Sequence, residues 1–233
     1  MKHYNYLKNI INTDGYFDIS IGSITKDLYA FGENEKIPTS QELQDSMVFM
    51  NGLDFNASQA SMLNTMKLDL GGMGKGFGVD KVSQYLKNNA INKFIIAASG
   101  DIRCMQSCAI DVAHPFRNGS LLSFSTSLKD TGISTSGNYN RYVKSVAHNH
   151  LINPKLKKSQ STFVSITLVS NLPSSDLDAY ATAASVMPLH KAYEFLDALP
   201  LGYIVMQSNY KLVFSRNISE YTKKLFIRYA KEK

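Results

Sequence analysis

Residues 68–82, LDLGGMGKGFGVDKV, place five glycines and one lysine in the eight positions from Gly71 to Gly78. A glycine-rich turn that opens a helix presents bare peptide N–H groups and the positive end of the helix dipole, an arrangement suited to a phosphate. Lys75 adds a compact positive charge. The spacing matches neither common phosphate loop. A Walker loop needs Ser or Thr after Gly-Lys and a further glycine five positions earlier; here Gly76 follows Lys75, and Asp69 stands at the earlier position. The dinucleotide fingerprint would end on Phe77 if begun at Gly72 and on Val79 if begun at Gly74. The turn reads either as an anion site of another type or as a tight packing turn, because glycine also serves where backbone meets backbone.

A second pair of residues sits far along the chain, in DLDAYATAASVM (residues 176–187). Asp178 and Thr182 are four apart, so on a helix they stack on one side, one turn above the other. A carboxylate and a hydroxyl so placed suit a hard cation, which takes oxygen ligands. The competing reading spends them locally: Asp178 in a capping box with Ser175, and Thr182 on a carbonyl one turn back. Cys104 and Cys108, in CMQSC, are too few for a disulfide framework or a four-ligand zinc site and read as two ordinary thiols on or beside a strand. The net charge of +6 comes from scattered lysines rather than a stripe. That argues against nucleic acid and for a solvated basic surface drawn to anionic ligands.

These residues must be held by a sizeable fold. A chain of 233 residues that is 44% hydrophobic can bury a proper core. Residues 2–12 read as a short helix closed by the turn NTDG, and YFDISIGSI alternates briefly before a glycine. SQELQDSMVFM has helical composition, MKLDL alternates like a strand, and a helix is predicted over 75–89 with Val79, Val82 and Leu86 on one face. KFIIAA, CAIDVA, LLSFSTSL, RYVKSVAH and above all FVSITLVS read as strands. A helix over 176–187 follows, then a hairpin turning at Ser208 and Asn209. A last helix starts at Asn217, with Ile218, Tyr221, Leu225 and Tyr229 inward. Strands mostly follow strands, which predicts an α+β fold with largely antiparallel sheets and packed helices in a single domain over 1–233. No segment reaches membrane-spanning length and no secretion signal is visible at the N-terminus, giving a cytoplasmic location as the expectation for the chain as written.

Taken together, DGYFDISIGSITKDLYAFG, LDLGGMGKGFGVDKV, SGDIR, ISTSGNYNRYV, HLINP and SSDLDAYATAASVM, in that order over residues 14–187, resemble the FAD:protein FMN transferase (ApbE) family. The resemblance implies an ApbE-like, T-fold-related domain that binds FAD as substrate with Mg²⁺ beside its pyrophosphate. It implies metal ligands at the Gly74 carbonyl, Asp178 and Thr182. Tyr16, Phe17 and Asp18 match the segment that lines the flavin site, with Gly71, Lys75 and Phe77 at the glycine turn. His150 and Leu151 match the histidine and aliphatic residue that approach the flavin, and Asp101 and Ser136 match secondary contacts. The implied reaction transfers FMN from FAD to a threonine hydroxyl of an acceptor protein, with AMP leaving, Asp178 holding the ion and His150 taking the proton. Alternatives on the same scaffold are hydrolysis of FAD to FMN and AMP, and a non-catalytic flavin-binding remnant.

The chain departs from the family pattern in several places. The family's N-terminal strand-and-helix portion, which helps hold the adenine end of FAD, has no counterpart before residue 14; the expectation is a truncated or shortened form. Gly74 replaces a usual alanine and Ser99 a glycine, YAFG has no Trp, and NPKLKK lacks the usual Thr-Gly. Relatives are typically exported to the cell envelope and lipid-anchored.

Overall fold

The computed structural model describes residues 13–56 and 58–228. After a π-helical turn at Ser23–Leu28 come helix α1 (Ser40–Asp45), the small hairpin of β1 (Leu53–Phe55) and β2 (Ala60–Met62), and helix α2 (Gly74–Asn88). Strands β3 (Ile95–Ala98), β4 (Asp101–Cys104), β5 (Ala109–Ala113), β6 (Ser120–Thr126) and β7 (Thr131–Gly137) follow one another directly. The short β8 (Ile152–Asn153) and β9 (Lys158–Ser159) precede the long β10 (Phe163–Ser170). Helices α3 (Ser174–Val186) and α4 (Leu189–Asp197) are followed by β11 (Gly202–Gln207), β12 (Leu212–Phe214), the single-turn α5 (Ile218–Tyr221) and β13 (Thr222–Ile227).

The main sheet runs β12-β11-β10-β7-β4-β3, and a three-stranded sheet runs β13-β6-β5. Every neighbouring pair in both is antiparallel. The fold is thus α+β with antiparallel sheets. Strand β10 is buried at all eight positions because it has covered faces on both sides. Ile166 and Leu168 pack with Leu177 and Ala181 of α3, while Val169 joins Leu122 and Phe124 of the smaller sheet. Its β-branched and aromatic content suits such a strand.

Helix α3 is buried at every position except Thr182. Small side chains make that possible: Ala179, Ala181, Ala183 and Ala184 are fully covered, so sheet and neighbouring helices approach closely. The closest approach is to α2. A Cβ added at Gly76 would lie 2.2 Å from the Ser174 carbonyl oxygen, so the start of α3 rests against bare backbone. No helix among the described residues is long and apolar enough to cross a membrane.

Several expected elements differ. Helix α1 stops at Asp45, with Ser46 already extended, and a Thr39–Glu42 capping box closes its start. MKLDL forms no strand beyond an isolated bridge between Lys67 and Ile21. RYVKSVAH is irregular, with a 3₁₀ turn at Val146–His148 and Lys144 in the left-handed region, because the segment serves as the connection into β8. The final helix ends after one turn: residues from Thr222 on pair with β6, and this pairing outweighs the 3.6-residue pattern. Tyr229 and the expected helix over 2–12 lie outside the described residues. Cys104 and Cys108 are joined as a disulfide across the turn between β4 and β5, rather than being two thiols. The capping box at Ser175 and Asp178 is also absent. Pro173 occupies the N-cap of α3, and Asp80 of α2 receives the Ser174 and Ser175 N–H groups instead, at 2.8 and 3.0 Å.

Two glycines of one helix give opposite expectations. Gly78 faces open space, so Gly78→Ala should raise unfolding free energy by about 1 kcal/mol through helix propensity alone. Gly76→Ala should lower it by roughly 3 kcal/mol through overpacking against Ser174. Urea denaturation of both variants tests the helix contact; equal shifts would contradict it.

Candidate active site

A cleft of about 300 Å³ opens where four segments meet. The loop after Thr13 contributes Tyr16, Phe17 and Asp18; the Thr13 hydroxyl accepts the Phe17 N–H, and Asp18 accepts from both the N–H and the hydroxyl of Ser20. Asp18 therefore holds its own loop in shape while lining the cleft. The glycine turn is tied to the same loop through Asp69. Its N–H donates to the Ile19 carbonyl, and its carboxylate accepts from the Thr25 hydroxyl at 2.5 Å and the Gly71 N–H at 2.8 Å. A Cβ at Gly72 would meet the Thr182 hydroxyl at 3.0 Å and the Phe17 ring at 2.9 Å. The bare turn thus lets the loop, the turn and α3 converge.

At the floor of the cleft, the Lys75 ammonium lies 3.0 Å from both Asp178 oxygens and 3.1 Å from Asp101, and donates to the Gly71 carbonyl at 3.2 Å. Asp101 is held from behind by the Ser134 hydroxyl, and Asp178 also accepts the Gly76 N–H. Burial pushes the Asp178 carboxyl up to about 6, and the nearby Asp101 charge adds to this against the pull of Lys75. Burial raises Asp101 as well, opposed first by Lys75. Burial also disfavours the charged form of Lys75, but the two carboxylates more than offset it and leave its pKa raised. Two carboxylates facing one ammonium give the fully ionised cluster one excess negative charge.

At another wall, His150 approaches Phe31 edge-on, with ring centroids 6.5 Å apart. Its Nδ1 lies 3.0 Å from the Arg141 carbonyl oxygen, which can only accept, so Nδ1 carries the hydrogen and Nε2 keeps its lone pair. Burial lowers the His150 pKa, overriding that hydrogen bond, and the Arg141 charge lowers it further. The imidazole is accordingly neutral at physiological pH.

Of the residues predicted from sequence, Tyr16, Phe17, Asp18, Gly71, Lys75, Ser136, His150, Leu151, Asp178 and Thr182 line this one cleft. Three do not. Gly74 sits on the exposed start of α2, where an added Cβ meets only Leu70 at 3.8 Å. Phe77 lies two residues beyond Lys75, which on a helix turns it to another side, and its ring carries Lys81 at 5.1 Å. Asp101 lies beneath the lining, 1% exposed, and acts through Lys75. Sequence reasoning missed Asp69, Gly72, Phe31 and Arg141, all in the lining. Asp69 and Gly72 stood within the conspicuous glycine motif; for Phe31 and Arg141 only the fold brings them to His150.

The model of the ApbE family matches residues 7–205. The chain belongs to the ApbE family. Curated relatives called FAD:protein FMN transferase include that of Treponema pallidum, 28% identical over 151 residues (58% of this chain, 42% of the relative). That of Haemophilus influenzae is 26% identical over 218 residues (84% and 62%). The chain spans about half the length of these relatives. Among solved structures, the ApbE protein of Thermotoga maritima aligns with TM-score 0.84 at 22% identity over 93% of this chain and 75% of its own. The flavin transferase ApbE of Vibrio cholerae aligns with TM-score 0.77 at 21% identity over 94% and 76%. These likenesses show that the antiparallel α+β architecture is that of ApbE proteins.

The charge cluster gives a signed expectation. Because burial raises both carboxyl groups, they hold protons to higher pH in the folded chain than in the unfolded one, and pairing with Lys75 operates only once they ionise. Lys75→Met should therefore cost little at pH 5 and roughly 1–3 kcal/mol at pH 8. That is less than for a fully buried pair, since the Lys75 side chain is 37% exposed. Thermal melts at the two pH values test this; a loss independent of pH would count against the pairing.

Proposed function

We propose that this chain transfers FMN from FAD to a threonine hydroxyl of an acceptor protein, releasing AMP, with Mg²⁺ bound beside the pyrophosphate. The observation that carries the reading is the convergence of Asp178, Thr182, Lys75 and the bare glycine turn in one cleft, together with a neutral histidine. The names of the curated relatives support it.

Asp178 and Thr182 offer oxygen from the lining, and the excess negative charge of the ionised cluster favours a hard cation, whereas Gly74, outside the lining, would reach the ion only through its main-chain carbonyl. The Thr182 hydroxyl makes only a long 3.4 Å contact with Ser136, so it is poorly committed within the protein. When bound, Mg²⁺ would offset charge on the pyrophosphate and on the departing phosphate. Lys75 is placed to meet a pyrophosphate oxygen as a point charge, and Gly71 and Gly72 let a phosphate approach the main chain. Tyr16, Phe17, Asp18 and Leu151 would line the flavin end, with Ser136 a further polar contact. Asp101 holds Lys75, and Phe77 is assigned no flavin contact.

In the transfer, the threonine oxygen forms a bond to the FMN-side phosphorus while the bond from that phosphorus to the AMP oxygen breaks. His150 Nε2 is oriented by the Arg141 carbonyl to accept the threonine proton. Such a transition state asks mainly for positioning and charge stabilisation, which the cluster supplies. We assign the activity to one domain over 1–233, in keeping with the family match over residues 7–205.

Incubation with FAD, Mg²⁺ and an acceptor bearing a threonine flavinylation motif should give covalently fluorescent acceptor on a denaturing gel. Asp178→Ala should lower the rate at least ~100-fold, the scale expected for losing a transition-state charge contact. Free FMN and AMP with unlabelled acceptor would identify a hydrolase, and unchanged FAD would sink the enzymatic reading. At sub-saturating Mg²⁺ the rate should rise with pH through about 6, as Asp178 gives up its proton, while burial keeps the loss of charge on His150 below the ordinary imidazole range. A rate unchanged between pH 5 and 8 under those conditions would remove the role of Asp178 in holding the ion.

A further inference from the structure

We propose that Asp80, with Arg103 behind it, is a positioning residue that sets where Asp178 and Thr182 stand in the cleft; this rests on the flavin-transferase reading above. Asp80 belongs to α2, yet its bonds go to α3. One carboxylate oxygen accepts the Ser174 N–H at 2.8 Å; the other accepts the Ser175 N–H at 3.0 Å and the Ser175 hydroxyl at 2.9 Å. These N–H groups have no intrahelical partners, and Pro173 at the N-cap offers no side-chain acceptor. The N-terminus of α3 is thus capped in trans. A carboxylate there also meets the positive end of the helix dipole.

Arg103 fixes the cap from the sheet side. It is 5% exposed, lies 3.6 Å from Asp80, and donates to the Ser174 hydroxyl at 3.2 Å and to the Leu172 carbonyl at 2.9 Å. Arg103 belongs to β4, and its Nε donates to Asp130 at 2.8 Å, which anchors it to the turn before β7. The geometry along α2 then forms a ruler. Lys75 meets Asp178, Gly76 touches Ser174, and Asp80, about one turn on, holds Ser174 and Ser175. Asp178 lies one turn inside α3 from Ser174, and Thr182 one turn further. With the Ser174 amide fixed on Asp80, both side chains are set at a fixed depth in the cleft. Asp80 itself does not line the cleft; its hydrogen bonds reach the cleft through α3, and its charge adds only a minor push on Asp101.

The test uses Asp80→Ala and Asp80→Asn in the full chain, with Asp80→Asn keeping an acceptor oxygen for one of the amides. Three readouts are taken below the melting temperature of each variant: Mn²⁺ binding by electron paramagnetic resonance without FAD, kcat and KM for FAD, and amide hydrogen exchange at Ser174 and Ser175. Asp80→Ala should weaken Mn²⁺ binding and lower kcat by about tenfold or more, change KM less than twofold, and speed exchange at the two amides. Asp80→Asn, which keeps an acceptor for only one of the two amides, should fall between Asp80→Ala and the wild type in each. A merely structural role would leave the Mn²⁺ affinity of the folded fraction unchanged, and that result overturns the proposal. So would wild-type kcat in Asp80→Ala. If the wild type binds no Mn²⁺ and transfers no FMN, the transferase reading fails; unaltered amide exchange in Asp80→Ala would show separately that the clamp fails.

Discussion

The contact between the bare backbone at Gly76 and the first turn of α3 is the constraint on which the rest of the molecule depends. Two helices distant in sequence, one led by the glycine turn and the other carrying Asp178 and Thr182, meet with no side chain between them. That contact lets a lysine on the first helix reach a carboxylate on the second at 3.0 Å. It also places the buried carboxylates close enough for the Asp101 charge to raise the Asp178 pKa, and it brings Gly72 against Thr182. A longer approach would separate the charges and admit water between them, weakening every electrostatic interaction in the cleft. The alanines of α3 do the same work on the sheet side, where β10 supplies a fully covered floor.

Much of this was legible in the sequence because it is written in local chemistry. A run of glycines after Asp69, two oxygen-bearing residues four apart in an alanine-rich helix, and a strand as β-branched as FVSITLVS each carry their own signal. The boundaries of β10 and of the hairpin at Ser208 and Asn209 follow from them. What was hidden depends on partners far along the chain. The segment after Ile218 has a helical stripe, yet β6 offers an unpaired edge and the chain extends to meet it. Ser175 and Asp178 have capping-box spacing, but Asp80 already satisfies the amides that the box would serve. The pairing of Cys104 with Cys108 likewise needs the turn from β4 into β5, which spacing alone does not reveal.

Two departures from the family pattern have visible local consequences. Ser99, where a glycine is usual, adopts φ +46 and lines the cleft, so a side chain stands in a conformation that glycine would hold without strain. In NPKLKK, the segment that lacks the usual Thr-Gly, Lys157 also lies in the left-handed region, at φ +53. Its ammonium donates to the carbonyls of Gln44 and Ser46 at 2.6 and 2.8 Å, tying down the end of α1. The backbone strain there is offset by bonds that glycine could not make. Gly74, the third departure, is sterically neutral.

The near-total enclosure of α3 has an evolutionary corollary. Thr182 is the one position on that helix that is not buried, so the helix has almost no freely mutable surface, and nearly every substitution on it disturbs packing. Change in what this molecule recognises would have to proceed through the loops that rim the opening, around Arg141, while the central rod stays fixed. Variation among natural homologues should therefore be concentrated at the rim of the fold and nearly frozen at its axis.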